Sequence, residues 1–179
     1  MRIGYFGDGR WAQRAIEQIA ESEELDVAYI VARHRNPDPV LREYAEDLDV
    51  SFFKPPNVND SAFLEELAEY APDVNVSMSY DQILKTEAIE LAPKGFINCH
   101  AGALPFYRGR NVLNWALVNG EDRFGVTVHY VDEQIDTGDI ITQKFGPIAP
   151  DDDYASLLDR AVALCAESVL EALHDIRRE

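Results

Sequence analysis

The sequence has little positive charge. Only four of its 179 residues are lysine, and Lys and Arg together number 16 against 33 Asp and Glu, a formal net charge of −17. Carboxylates in that excess repel a phosphate backbone, so the surface disfavours nucleic acid. A lysine-poor, carboxylate-rich surface also stays hydrated in concentrated salt, and the composition favours that halophilic adaptation over an ordinary acidic protein. The acids are scattered, not gathered into a tail, so they read as solvated faces. Cysteine is scarce too. Cys99 lies in an apolar strand pattern and Cys165 in "AVALCA", both places for a small buried hydrophobe. Two cysteines so placed make no zinc motif and predict no structural disulfide. No run approaches the roughly 18 apolar residues that span a bilayer. The opening "MRIGYFGDGR" lacks the charged, apolar and small-residue order of a signal peptide, so the expected location is the cytoplasm, with no membrane partner.

What the chain does have is a globular composition, 46% hydrophobic and 10% aromatic, in a length that suits one domain over 1–179. "MRIGYFG" predicts a buried first strand ending in glycine, and "RWAQRAIEQIA" a helix with one apolar face. Further strands are expected over 25–32, 73–79, 95–100, 124–132 and 138–145. Further helices are expected near 40–48, 61–70, 81–92, 110–120 and 150–176, the last with an acidic first turn, while "SFFKPPNVND" reads as a connection. Strand and helix alternate through the first two thirds, which argues for an α/β fold with a mostly parallel central sheet.

In such sheets ligands gather where loops leave the carboxyl ends of strands. "GDGRWA", after the first strand, matches a dinucleotide fingerprint weakly: the third glycine is missing, and Trp11 stands where close packing wants a small residue. It reads as a tight turn, or as a loop whose Gly9, Arg10 and Trp11 touch a phosphorylated substrate. "INCHAGALPFYRGR" is more specific. Asn98 and His100 are one residue apart, so on a strand they share a face while Cys99 points to the other. Such a pair costs free energy if buried unpartnered, and is economical if it faces a cleft.

The stretch "FINCHAGALPFYRGRNVLNWALVNGEDRFGVTVHYVDEQIDTGDI" resembles the signature region of the folate-dependent formyltransferases, which move a formyl group from N10-formyltetrahydrofolate to an amine. The family motif is Asn-x-His followed by a distant Asp in an Asp-x-Gly loop. Asn98 and His100 match it, and "DTGD" supplies Asp136, 36 residues beyond His100. The resemblance implies a three-layer Rossmann-like fold, a folate donor and no metal. It places the folate near "SMSYDQIL", with Ser79, Tyr80, Ile83 and Leu84, and adds Ile135 and Gly138 beside Asp136. The three residues also suit the chemistry directly. Histidine exchanges protons near neutral pH, a nearby carboxylate orients it and favours its charged form, and an Asn amide donates to an oxygen gaining negative charge. Arg108 and Arg110 are candidates for a substrate phosphate, or for surface ion pairs. Trp115 reads as core, His129 as a structural or supporting residue, and His34 and His174 as surface.

The wording "YRGRNVLNWALVNGE" is nearest the nucleotide-sugar N-formyltransferases, implying a small phosphorylated amine as partner and leaving a homodimer open. Methionyl-tRNA or glycinamide ribonucleotide formyltransferase, formyltetrahydrofolate hydrolase, and a non-catalytic folate- or nucleotide-binding module remain as alternatives.

Overall fold

The structure, a computed structural model, describes residues 1–178. Seven strands form one sheet in the order β3-β2-β1-β4-β5-β6-β7. β1 (Arg2–Gly7), β2 (Asp26–Ala32), β3 (Ser51–Phe53), β4 (Val74–Met78) and β5 (Phe96–His100) run parallel. β6 (Arg123–Tyr130) and β7 (Ile140–Pro147) add an antiparallel edge. The apolar run of β1 is buried on both faces, as a central parallel strand must be. Ile3 and Tyr5 face a core shared with α1 (Gly9–Ala20), α2 (Pro39–Asp47) and the long α6 (Tyr154–Arg178). Phe6 faces the opposite way, into a second core with Tyr29, Val31 and Phe96, against which Phe63 of α3 (Ser61–Ala68) also packs. The result is three layers, helix–sheet–helix, as the family resemblance implies.

The differences from expectation have local causes. β3 is only three residues long and pairs with β2 at the sheet edge, too short for "SFF" to stand out before two prolines. The helix expected over 81–92 shrinks to α4, Thr86–Ile89. Side chains claim the preceding backbone instead: Asn59 Nδ2 donates to the Ile83 carbonyl at 2.9 Å, and Asn59 Oδ1 accepts from the Lys85 amide at 2.8 Å. Gln82 joins in by accepting from the Val58 amide and donating to the Pro55 carbonyl. Such bonds offer the backbone an alternative to helix. The acids before α6 sit outside its first turn, where Asp153 Oδ1 caps the Ser156 amide at 2.9 Å. α5 spans Val112–Val118, and Trp115, expected in the core, is 56% exposed while Leu113 and Ala116 face inward.

The connection from β1 leads outward to β2 and β3, and β4 then lies on the other side of β1. Loops leaving β1 and β4 therefore diverge, which opens a crevice at the carboxyl ends of the parallel strands.

Candidate active site

A cleft of about 910 Å³ occupies that end of the sheet. Asn98 and His100 reach it from β5, and Asp136 from the loop joining β6 to β7. The two segments meet because β6 pairs with β5, setting Asn98 opposite His129 and His100 opposite Thr127. The loop beyond β6 then folds back over the end of β5. Asp132 shapes it by accepting from the Gln134 amide at 3.0 Å and the Thr137 hydroxyl at 2.6 Å. The Thr137 bond leads the causes that hold the Asp132 carboxyl below its ordinary value. Asp136 itself adopts a left-handed backbone, φ 54°, a conformation that aspartate tolerates better than most side chains.

The polar groups form one chain. Asn98 Nδ2 lies 3.3 Å from His129 Nε2, and His129 Nε2 lies 3.6 Å from Asp136 Oδ1. The other carboxylate oxygen, Oδ2, lies 3.7 Å from His100 Nδ1 and accepts from the Gly109 amide at 2.8 Å. His100 Nε2 closes the chain on the Tyr107 carbonyl at 2.5 Å. His100 is 8% exposed and His129 2%, so a carboxylate between them is poorly screened. Burial by itself pushes the Asp136 carboxyl up. The contact with His129, the Gly109 amide and the charge of both imidazoles outweigh burial and hold the group below the usual carboxylate range. Asp136 is thus an anion at neutral pH, with an imidazole on each side.

His129 stands inside this chain, in the supporting place that the alternating strand suggested. Its link to Asn98 depends on the β5–β6 register, which no local pattern reveals. Thr127 and Gln143 carry no sequence signal at all, yet they tie down the loop that follows His100. The Thr127 hydroxyl donates to the Gly102 carbonyl at 2.7 Å, and Gln143 Nε2 donates to the Leu104 carbonyl at 2.9 Å.

Ser79, Tyr80, Ile83, Leu84 and Ile135 all line the cleft, as do Trp11 and Arg110. Ile83 and Ile135 are 75% and 62% exposed, large apolar surfaces beside a polar centre. Burial pushes the Tyr80 phenol up, with the Asp81 charge adding to it, so the hydroxyl stays protonated. Four expected contacts lie elsewhere. Gly138 lies against the Tyr130 carbonyl, where any Cβ would overlap the oxygen, so it is needed for chain packing and does not line the cleft. Gly9 supplies a left-handed turn (φ 65°) into α1 outside the cleft wall. Arg10 pairs with Asp159 of α6 at 2.6 Å. Arg108 spends two donors on the Ile135 carbonyl, Nε at 3.0 Å and Nη2 at 2.6 Å, which binds the two loops together. Arg33, not singled out in the sequence, lines the cleft from the end of β2 and pairs with Asp8. Among the described residues no cluster of His, Cys, Asp or Glu is suited to hold a metal, and no helix is long and apolar enough to cross a membrane.

An open, mostly parallel sheet with a partly buried carboxylate between two imidazoles at its strand ends defines an α/β protein with an enzyme-like site. The chain belongs to the formyl transferase family, whose model matches residues 1–173. The methionyl-tRNA formyltransferase of Syntrophus aciditrophicus is 40% identical over 135 residues, covering 75% of this chain and 43% of that protein. The methionyl-tRNA formyltransferase of Desulfotalea psychrophila is 37% identical over 185 residues, covering 99% of this chain and 57% of that protein. The chain thus spans about half the length of the curated relatives it matches. Among solved structures, glycinamide ribonucleotide transformylase 1 from Geobacillus kaustophilus aligns with a TM-score of 0.78 at 27% identity, covering 93% of each chain.

Proposed function

We propose that this chain transfers a formyl group from N10-formyltetrahydrofolate to a primary amine, with Asn98, His100 and Asp136 as the working residues. The observation that carries the reading is one carboxylate held between two imidazoles on the wall of an open cleft, with the Asn98 amide in the same polar chain. The donor fits the cleft: exposed Ile83 and Ile135, with Tyr80 and Leu84, give a flat pterin an apolar bed beside the polar chain. The folate supplies the formyl group; this chain's residues bind, orient and move protons. His100 takes a proton from the attacking amine and returns one to the departing nitrogen. Asp136, ionised at neutral pH, stabilises the imidazolium in between and holds the ring. The Asn98 Nδ2 donates to the formyl oxygen as that atom gains charge.

For the acceptor, the "YRGRNVLNWALVNGE" wording and the charge of −17 support a small phosphorylated amine, in particular an amino sugar linked to a nucleotide. Arg33 and Arg110 are the basic residues on the cleft wall; Arg33 is already paired with Asp8, so Arg110 supplies the anion contact. The names of the relatives favour a second acceptor, methionyl-tRNA, against which the chain's own acidity argues. One experiment separates them. The protein is incubated with N10-formyltetrahydrofolate and, in parallel, nucleotide-linked amino sugars, glycinamide ribonucleotide or methionyl-tRNA, and release of tetrahydrofolate is followed at low and high salt. Turnover with a nucleotide-linked amino sugar supports the reading. Turnover with methionyl-tRNA alone transfers it to the second acceptor, turnover without any amine makes it a hydrolase, and no turnover leaves a binding module. We also assign the acidic surface to a high-salt setting. The expected result is a melting temperature that rises between low and molar potassium chloride, and a flat profile would discard that assignment.

A further inference from the structure

The loop after His100 does more than lead the chain away from the cleft. A carbonyl oxygen only accepts hydrogen bonds, so the 2.5 Å contact between His100 Nε2 and the Tyr107 oxygen requires the proton on Nε2. In the neutral ring Nδ1 then carries the lone pair, and Nδ1 is the nitrogen that faces Asp136. Gly102 lies against this contact. A Cβ built there would overlap both the Tyr107 oxygen and His100 Nε2, so the bond forms only because residue 102 has no side chain. Gly102 does not need its freedom to turn, since its φ is not positive; what it supplies is room.

The rest of the loop fixes the carbonyl from outside the cleft. Thr127 holds the Gly102 carbonyl, Gln143 holds the Leu104 carbonyl, and the Tyr107 amide donates to the Ala103 carbonyl at 3.2 Å. The Tyr107 side chain points away from the histidine, its hydroxyl 2.5 Å from Glu121 Oε1 and 3.0 Å from Asn119 Nδ2. Thr127 is fully buried, so water does not compete for the bond that holds the Gly102 carbonyl.

We propose that Gly102 and the Tyr107 carbonyl act as a tautomer clamp, positioning elements that keep the His100 proton on Nε2 and so commit Nδ1 to proton exchange in the cleft. The proposal rests on the reading of His100 as the proton-exchanging residue. It assigns no contact with substrate to either element; both act through the imidazole. It also explains why Asp136 approaches Nδ1 without a direct hydrogen bond: an acceptor faces a lone pair until a proton arrives, and only the protonated ring draws the two together.

The test is nitrogen-15 NMR of imidazole-labelled protein, with His100 assigned from the signal lost in His100→Gln, read at high pH where the rings are neutral. The expected wild-type His100 signal is that of the Nε2–H tautomer. Gly102→Ala is expected to mix the tautomers and, in the transfer assay, to lower kcat on the order of 10²-fold with KM nearly unchanged, as displacement of a reacting group by about 1 Å does. Should that variant fail to fold, Tyr107→Phe loosens the outer anchor alone and is expected to give a smaller shift in the same direction. A wild-type Nδ1–H tautomer overturns the clamp, as does a folded Gly102→Ala whose tautomer matches the wild type. The spectra need no acceptor, so an expected tautomer with no turnover would leave the clamp standing while the transferase reading fails.

Discussion

Two loops leave the carboxyl ends of parallel strands in this molecule, and they use charge in opposite ways. The one after β1 carries Asp8 and Arg10 beside two glycines, yet each charge is matched at once: Asp8 by Arg33 and Arg10 by Asp159. The one after β5 carries His100 and then runs to Arg110, and its polar groups reach across to the β6–β7 loop at Gly109–Asp136 and Arg108–Ile135. Among the described residues no cation of fixed charge pairs with Asp136; its partners are two imidazoles and an amide. A carboxylate paired with arginine is finished, whereas one between histidines is left responsive to a proton. That difference separates a structural turn from the proposed reactive centre.

The sharpest way to break the comparison is His100→Ala. Formyl transfer is expected to fall by about 10²–10⁴-fold, the usual contribution of a positioned general acid–base group, with the melting temperature close to that of the wild type. Turnover equal to the wild type would place the chemistry elsewhere. Asp136→Asn comes next, with a loss of about 10²-fold or more in kcat, since the amide cannot stabilise the imidazolium. It also carries a pH signature. The Asp136 carboxyl is held below its ordinary value of 3.8 in the folded chain, so the unfolded chain binds the proton more readily. The ionised group therefore stabilises the fold above that ordinary value, and the contribution disappears as pH falls through the lowered folded one. Urea midpoints of wild type and Asp136→Asn should accordingly converge as pH drops from neutral to about 3. A gap that stays constant would mean that the carboxylate's environment does not favour its charge.

Much of this was legible beforehand, and what was hidden follows a pattern. The apolar runs, the 3.6-residue spacing and the Asn98–His100 repeat are properties of short windows, and they located most of the sheet and helices and one half of the candidate site. The family resemblance supplied Asp136. Geometry that depends on strand register was not legible: the place of His129 opposite Asn98, and of Thr127 and Gln143 under the loop, exists only once β5, β6 and β7 are paired. Nor does a sequence show where an arginine points. Arg10 and Arg108 stand beside glycines in loops that converge on the cleft, yet a carboxylate from α6 and a backbone carbonyl have taken their donors.

Arg108→Ala tests that last distinction within the loop after β5. Removing its two bonds to the Ile135 carbonyl releases the β6–β7 loop that holds Asp136, so kcat is expected to fall about tenfold, with KM for a phosphorylated acceptor changing less. A rise in KM with kcat intact would instead return Arg108 to the phosphate.

Arg10→Ala should do least. Its partner Asp159 is 70% exposed and Arg10 itself 53%, and an ion pair in that much solvent contributes at most about 1 kcal/mol, less as salt rises. Because α1 and α6 are already joined through Ile16, Ile19, Ala161 and Cys165 in the shared core, the pair is not needed to hold them together. The expected result is a melting temperature within a few degrees of the wild type at low salt, the difference vanishing in molar salt, and unchanged kcat and KM for every acceptor tried. A raised KM confined to phosphorylated acceptors would show that Asp159 yields its partner to substrate, and the first loop would then belong to the site after all.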